Sequence, residues 1–223
     1  MTVNYQLKLT LESDATFGRG EGAAGEVDVE IVYDEAGFPM LGGRTLKGLL
    51  GAECADLLDA LSVAASSQQD RWRASADHLF GTRGAGLQGE AIMQVGAAQL
   101  PDDLRAEIKK DIAVHRITAR DVLDIFTETR RQTAMDETGA PKQETLRAMR
   151  VIVRGLTFDA PLVFVQTPSA DDLGLLAATV KALRRIGLGR NRGLGKVTVT
   201  LCDGAGGDVT ETHFAHFRKA VNG

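Results

Sequence analysis

The stretch that most restricts what this chain can become is SADDLGLLAATVKALRRIG, residues 169–187, because it reads as a helix with both ends specified. Ser169 can cap the first turn, Asp171 and Asp172 follow at the positive end of the helix dipole, and Arg184 and Arg185 stand at the negative end before Gly187. Strand-like runs flank it, LTFDAPLVFVQ before and KVTVTL after. The amino-terminal part reads as strand, loop, strand and helix. VNYQLKLTLES alternates apolar and polar residues from Val3 to Leu11, and VDVEIVYD, residues 27–34, reads as a second strand. Between them DATFGRGEGAAGE reads as a flexible loop. After a turn at EAGFP, Leu46, Leu49, Leu50, Leu57, Leu58 and Leu61 recur at helical spacing, with Thr45 as the expected N-cap. A second helical piece, DRWRASADHLFG, stops at Gly81 and is followed by a loop and a short strand in AIMQVGAAQL.

From Pro101 to Val114 a short charged helix is expected, and THFAHFRKAV reads as a short final helix. Between them TETRRQTAMDETGAPKQETLRAMRVIVRG is polar, rich in Thr and Arg, and turns at ETGAP, the pattern of a long hairpin leaving the body of the fold. Stripped of insertions, the order is that of a split βαβ, or ferredoxin-like (RRM-like), α+β fold: an antiparallel sheet with helices on one face. No repeat or linker divides the chain, so a single domain over 1–223 is expected, with the hairpin inserted at roughly 116–154.

With 43% apolar residues the chain can bury a substantial core, and its formal net charge of -4 means that any anion-binding surface must be local. Cys54 and Cys202 lie far apart with no CxxC spacing, which argues against a disulfide scaffold and a structural zinc site. Neither a signal peptide nor an apolar run of membrane-spanning length is visible, so a cytoplasmic protein with no membrane partner is expected.

One local exception to the acidic balance stands out. From Lys181 to Lys196 the chain carries Lys181, Arg184, Arg185, Arg190, Arg192 and Lys196 without one acid, interleaved with Gly187, Gly189, Gly193 and Gly195. Phosphate loops of the Walker and dinucleotide types lead from a strand into a helix, so that the helix dipole faces the phosphate. Here the glycines follow a helix, and an anion would have to be held by side-chain charge and backbone N–H groups. A helix C-cap glycine followed by a tight turn accounts for Gly187. It does not account for four glycines alternating with Arg190 and Arg192, which favours contact with a polyanionic backbone. The hairpin adds Arg120, Arg130, Arg131, Lys142, Arg147 and Arg150, although six acids interleave with the basic residues of that region. A solvated charged hairpin accounts for that composition equally well; its length favours a contact role.

Three segments in order, GEVDVEIVYDEAGFPMLGGRTLKGLL, LFGTRGAGLQGEAIMQVGAAQL and LRRIGLGRNRGLGKVTV, resemble the RAMP superfamily of CRISPR-associated proteins. The closest resemblance is to the repeated backbone subunit of type III interference complexes of the Csm and Cmr kind. The resemblance implies a ferredoxin-like palm with inserted helical segments and a protruding thumb β-hairpin. It implies CRISPR guide RNA, complementary single-stranded target RNA, copies of the same chain and other effector subunits as partners. In active members an aspartate after the first strand serves metal-dependent cutting of target RNA. The matching position is Asp28, which would be both catalytic residue and metal ligand, with a divalent cation, expected to be Mg2+. Lys47 matches the lysine of the helix-opening motif, and Arg190, Asn191, Arg192 and Gly193 match the glycine-rich loop. Where the family reads P-G-S-S, this chain reads Gly42 to Thr45, and Arg44 places a cation where a phosphate would lie. In the hairpin Arg130 and Arg131 are expected RNA contacts, and Met135 is a candidate to wedge between bases.

RNA carries its own nucleophile, the 2′-hydroxyl, so cutting it requires mainly that the strand be splayed until that oxygen lies in line with the phosphorus. A carboxylate with an ordinary pKa of about 3.9 is a weak base for a hydroxyl and suits holding a cation or its water. Asp14 and Asp34 compete with Asp28 for that role. His78, His115, His213 and His216 have no nucleophile or cysteine partner in the sequence and are read as structural. Two rivals stand beside the nuclease: a silent paralogue that binds guide RNA and assembles without cutting, and a metabolic domain whose glycine loop takes a small phosphorylated ligand.

Overall fold

The computed structural model describes residues 3–19, 27–64, 68–82, 90–132 and 147–222. β1 (Val3–Leu11) runs along the middle of an antiparallel sheet in which β5 (Thr157–Phe164) and β6 (Val197–Asp203) flank it and β2 (Met93–Val95) pairs with β5. The order β2-β5-β1-β6 is the ferredoxin-like arrangement expected from the sequence. Register follows the alternation: Leu7 lies between Ala160 and Leu201, and Leu9 between Phe158 and Val199, all of them buried.

α1 (Gly43–Ala64), α2 (Gln69–Phe80), α5 (Ala170–Ala182) and α6 (Thr210–Asn222) form the helical layer. α5 packs against β6 and against α1, α2 and α6, so its residues from Asp172 to Val180 are all buried. Its start is as the sequence indicates: Ser169 Oγ accepts from Asp172 N at 3.1 Å, and Ser169 N donates back to Asp172 Oδ2 at 2.8 Å. The two acids also bind the neighbouring helices. Asp172 receives His78 Nδ1 at 2.9 Å, and Asp171 receives Arg71 Nε at 2.7 Å and His216 Nε2 at 2.7 Å. Hydrogen bonds from Arg71 and then His216 hold the Asp171 carboxyl down at about 2. Three of the helices are thereby joined through side chains that read as helix-start acids and lone histidines.

Several expectations change. α1 begins at Gly43, with Leu46 N donating to Gly42 O at 3.0 Å, so Thr45 stands inside the first turn and is not its N-cap. α5 ends at Ala182 and does not run to Gly187. Leu183 and Ile186 are drawn into the core, and the extended backbone between them pairs with the start of β6 through Val197 N to Arg184 O at 3.0 Å and Ile186 N to Gly195 O at 2.9 Å. Arg184 and Arg185 therefore do not answer the α5 dipole, and Gly187 is not a C-cap. Segment 27–34 is not a sheet strand. It makes isolated bridges, Gly18 to Ile31, Val29 to Met149 and Tyr33 to Pro39. The described part of the expected flexible loop is pinned, with Asp14 to Phe17 buried and Phe17 against Phe158.

α3 (Asp102–Ala113) lies where a charged helix is expected, but a further helix, α4 (Ala119–Phe126), occupies the span expected to open the hairpin. Thr118 and Asp121 form its capping box, and Val122, Leu123 and Phe126 bury its apolar stripe. The paired arms begin only at β3 (Thr127–Gln132) and β4 (Arg147–Ile152), so the insertion boundary at 116 gives way to 127. The ETGAP turn, Met135 and Lys142 lie outside the described residues. Among the described residues no helix is long and apolar enough to cross a membrane.

Candidate nucleic-acid interface

The glycine loop is a small platform held at both ends by the segment after β1. Leu188 N donates to Thr16 O at 2.9 Å and Gly195 N to Asp14 O at 2.7 Å. Between these anchors Gly189 and Gly193, both left-handed, bracket a single 3-10 turn, Arg190–Arg192. Arg185 Nη1 donates to Arg190 O at 2.8 Å and supports the turn from behind. The side chains of Arg190, Asn191 and Arg192 are exposed, and neither arginine makes an ion pair among the described residues. The field of Arg190 reaches α1, where burial and Asp56 raise the Glu53 carboxyl's pKa while Arg190 and Arg184 oppose the rise.

The glycines differ in what they tolerate. Gly195 has φ +72°, and a Cβ there would lie 1.9 Å from Ile186 O, whereas Gly193 has φ +80° with nothing within 4 Å of a Cβ. Gly193→Ala carries only the left-handed backbone cost, about 1–2 kcal/mol. Gly195→Ala adds a backbone clash and disrupts the two loop anchors around it. At about 2–4 °C per kcal/mol for a chain of this size, Gly193→Ala is expected to lower the thermal midpoint by only a few degrees and Gly195→Ala by clearly more. Equal midpoints in a melting experiment contradict the loop geometry.

Facing the platform is the β4 arm, and between them lies a cleft of about 540 Å³. Its lining combines the apolar side chains of Val29, Met149, Leu188 and Leu194 with Arg147, Arg190, Asn191 and Arg192. Asp28 is not itself a lining residue but adjoins two of them. Its N donates to Ala148 O at 2.7 Å and its Oδ2 accepts from Ala148 N at 2.7 Å, and its neighbours Val29 and Ala148 both line the cleft. Asp28 is exposed, and no described residue bonds its Oδ1. Basic and apolar groups from three distant parts of the sequence thus meet at one opening, with Asp28 next to the lining residue Val29.

The other expected site residues fall elsewhere. Arg130, opposite Met149 in the hairpin register, is ion-paired to the buried Asp14, whose other oxygen accepts from Arg154 N at 3.0 Å. Arg131, opposite Ala148, is exposed. Arg44 and Lys47 sit at the start of α1 and do not line the cleft. Arg44 is exposed, while Lys47 Nζ donates to Met93 O at 2.8 Å and burial lowers its pKa. The competing acids have structural partners: Asp34 Oδ1 accepts from Ala36 N and Phe38 N, both at 3.0 Å, and Asp14 joins the hairpin to the glycine loop. Of the hairpin bases, Arg150 is buried and paired, whereas Arg147 lines the cleft. Met149, Leu188, Leu194 and Val29 carried no site signal in the sequence, because isolated apolar residues in loops and strands read as core.

Among the described residues no group of three or more His, Cys, Asp or Glu side chains could hold a metal ion. Mg2+ does not require such a cage, since it keeps several waters and is commonly bound through one or two carboxylates plus substrate phosphates. Asp28 Oδ1 fits as one such ligand.

No protein-family model matches this chain, and no curated protein matches it in sequence. Its structure is similar to solved chains. One belongs to a cryo-EM structure of the Type III-B Cmr-beta complex in the apo state, with TM-score 0.61 and 11% identity over 89% of this chain and 97% of that one. Another belongs to the Type III-B Cmr-beta complex bound to cognate target RNA, with TM-score 0.59 and 11% identity over 90% of this chain and 97% of that one. At this identity the likeness is one of fold.

Proposed function

We propose that this chain is a backbone subunit of a type III CRISPR effector complex that binds CRISPR guide RNA and cuts complementary target RNA at Asp28 with a divalent cation, Mg2+. The observation that carries the reading is the cleft. The lining residues Arg147, Arg190 and Arg192 can bind phosphates, the apolar part of the lining can receive an unstacked base or sugar, and Asp28, whose Oδ1 no described residue bonds, adjoins the lining residue Val29. The fold shared with Cmr-beta chains, one of them from a target-bound complex, supports the same reading. Copies of this chain and other effector subunits are its expected partners.

In this reading the arginines hold the strand, and the wall formed by β4 keeps the scissile linkage beside Asp28. The 2′-hydroxyl next to that linkage is the nucleophile, and alignment supplies much of the acceleration. A divalent cation, when bound, stabilises the charge developing on the phosphate. Asp28 Oδ1 is the protein ligand the chain offers it.

A second reading, a silent subunit that binds RNA without cutting, is favoured by the absence, among the described residues, of a group of three or more ligating side chains that includes Asp28, and by the hydrogen bond from Ala148 N to its Oδ2. Assembly of the complex with its guide RNA and a labelled complementary target, with and without Mg2+, tests both. Mg2+-dependent cutting supports the nuclease, and tight target binding without cutting supports the silent subunit. Purified complex with the absorbance ratio of protein alone overturns both in favour of a small-ligand domain.

A further inference from the structure

We infer that Glu30 and Arg150 are a buried positioning pair that locks the register of the Asp28 segment against β4, so that cutting depends on two side chains that do not line the RNA cleft. This rests on the nuclease reading of Asp28. Val29 pairs in parallel with Met149, which sets Asp28 beside Ala148 and Glu30 beside Arg150 as successive rungs of one short ladder. Few backbone bonds fix that ladder: Asp28 N to Ala148 O at 2.7 Å, Val29 N to Ala148 O at 3.3 Å and Arg150 N to Val29 O at 3.0 Å, while Ala148 N donates to the Asp28 side chain at Oδ2.

The third rung is made of side chains. Glu30 and Arg150 are each only 4% exposed. Arg150 Nε lies 3.0 Å from Glu30 Oε1, and the same Oε1 accepts from Ile31 N at 2.9 Å. Arg150 Nη1 reaches Asp124 Oδ1 at 3.1 Å and Thr127 Oγ1 at 3.2 Å, which ties the rung to the end of α4 and the start of β3. Buried ion pairs often add no net stability over apolar residues of similar volume, and their best-attested use is to specify register. Register matters here because a slip of one residue displaces a strand by about 3.3 Å. Asp28 would lose Ala148 as its partner, and the carboxylate offered to the cation would shift away from the aligned linkage.

The test uses the assembled complex carrying Glu30→Gln, which preserves shape and removes charge, and Glu30→Leu with Arg150→Met, which replaces the pair by apolar groups of similar size. Single-turnover cleavage by both is expected to fall at least tenfold, with guide and target affinity within about twofold of the parent, a split between chemistry and binding. In an Asp28→Ala background, Glu30→Gln is expected to cause no further loss, because the pair acts through Asp28. Hydrogen exchange at the Asp28 and Ala148 amides is expected to accelerate in Glu30→Gln while the central sheet keeps its protection. Parental cleavage by the Glu30 variants beside an inactive Asp28→Ala overturns the inference and leaves the nuclease reading standing, as does unchanged exchange. Parental cleavage by Asp28→Ala itself overturns that reading and the pair's role in cutting, while exchange alone still reports whether the pair sets the register.

Discussion

In the assembled complex Asp28→Ala is expected to reduce single-turnover cleavage of target RNA by about 100-fold or more and to leave target affinity unchanged. Metal-assisted stabilisation of phosphate charge is worth several kcal/mol, and each 1.4 kcal/mol is about tenfold in rate, so losing Asp28 as a ligand removes two decades or more. Alanine also leaves Ala148 N without the acceptor that it has at 2.7 Å. Asp28→Asn separates the two effects, because its amide oxygen can still accept from Ala148 N while the charge is gone. Loss of cutting in both variants assigns the effect to charge; loss in alanine alone assigns it to the scaffold. Undiminished cutting by Asp28→Ala sinks the catalytic assignment.

The second large effect is expected at the glycine loop. Arg190 and Arg192 are exposed on a turn bracketed by Gly189 and Gly193 and make no ion pair among the described residues, so removing them costs little stability. Each phosphate contact to a single strand contributes about 0.7 to the slope of log affinity against log salt. Arg190→Ala with Arg192→Ala is therefore expected to flatten the slope for guide binding by about 1.4 and to weaken affinity most at low salt. Guide affinity measured across a salt series checks this. An unchanged slope removes the loop from the RNA surface.

The parts of the fold that depend on neighbours in sequence were legible. Ser169 and Asp172 form a capping box because a helix start is decided within four residues. β1, β5 and β6 bury alternate residues because a strand with one covered face must. The capping box of α4 was present in the sequence at Thr118 and Asp121, with Val122, Leu123 and Phe126 on one stripe, but the charge of the surrounding region hid it. The end of α5 was not legible: its helical spacing continues past Ala182, and only pairing between 184–186 and 195–197 draws the backbone out of the helix.

The sequence by itself determined the start of α5, the alternation of the sheet, the split βαβ order and a cationic, glycine-bracketed turn, all consequences of local backbone preference and periodic burial. It also placed an acid at position 28 but could not say what that acid faces. Arg147 and Arg150 stand three residues apart in one polar strand, yet one lines the cleft and the other is buried on Glu30. Asp14 and Asp28 both follow strand-like patterns, yet one is consumed by Arg130 and Arg154 N while the other keeps an oxygen that no described residue bonds. Only the tertiary structure decided these outcomes, because each depends on a partner more than a hundred residues away, and no local pattern encodes which charge will find its counter-ion and which will remain at the surface.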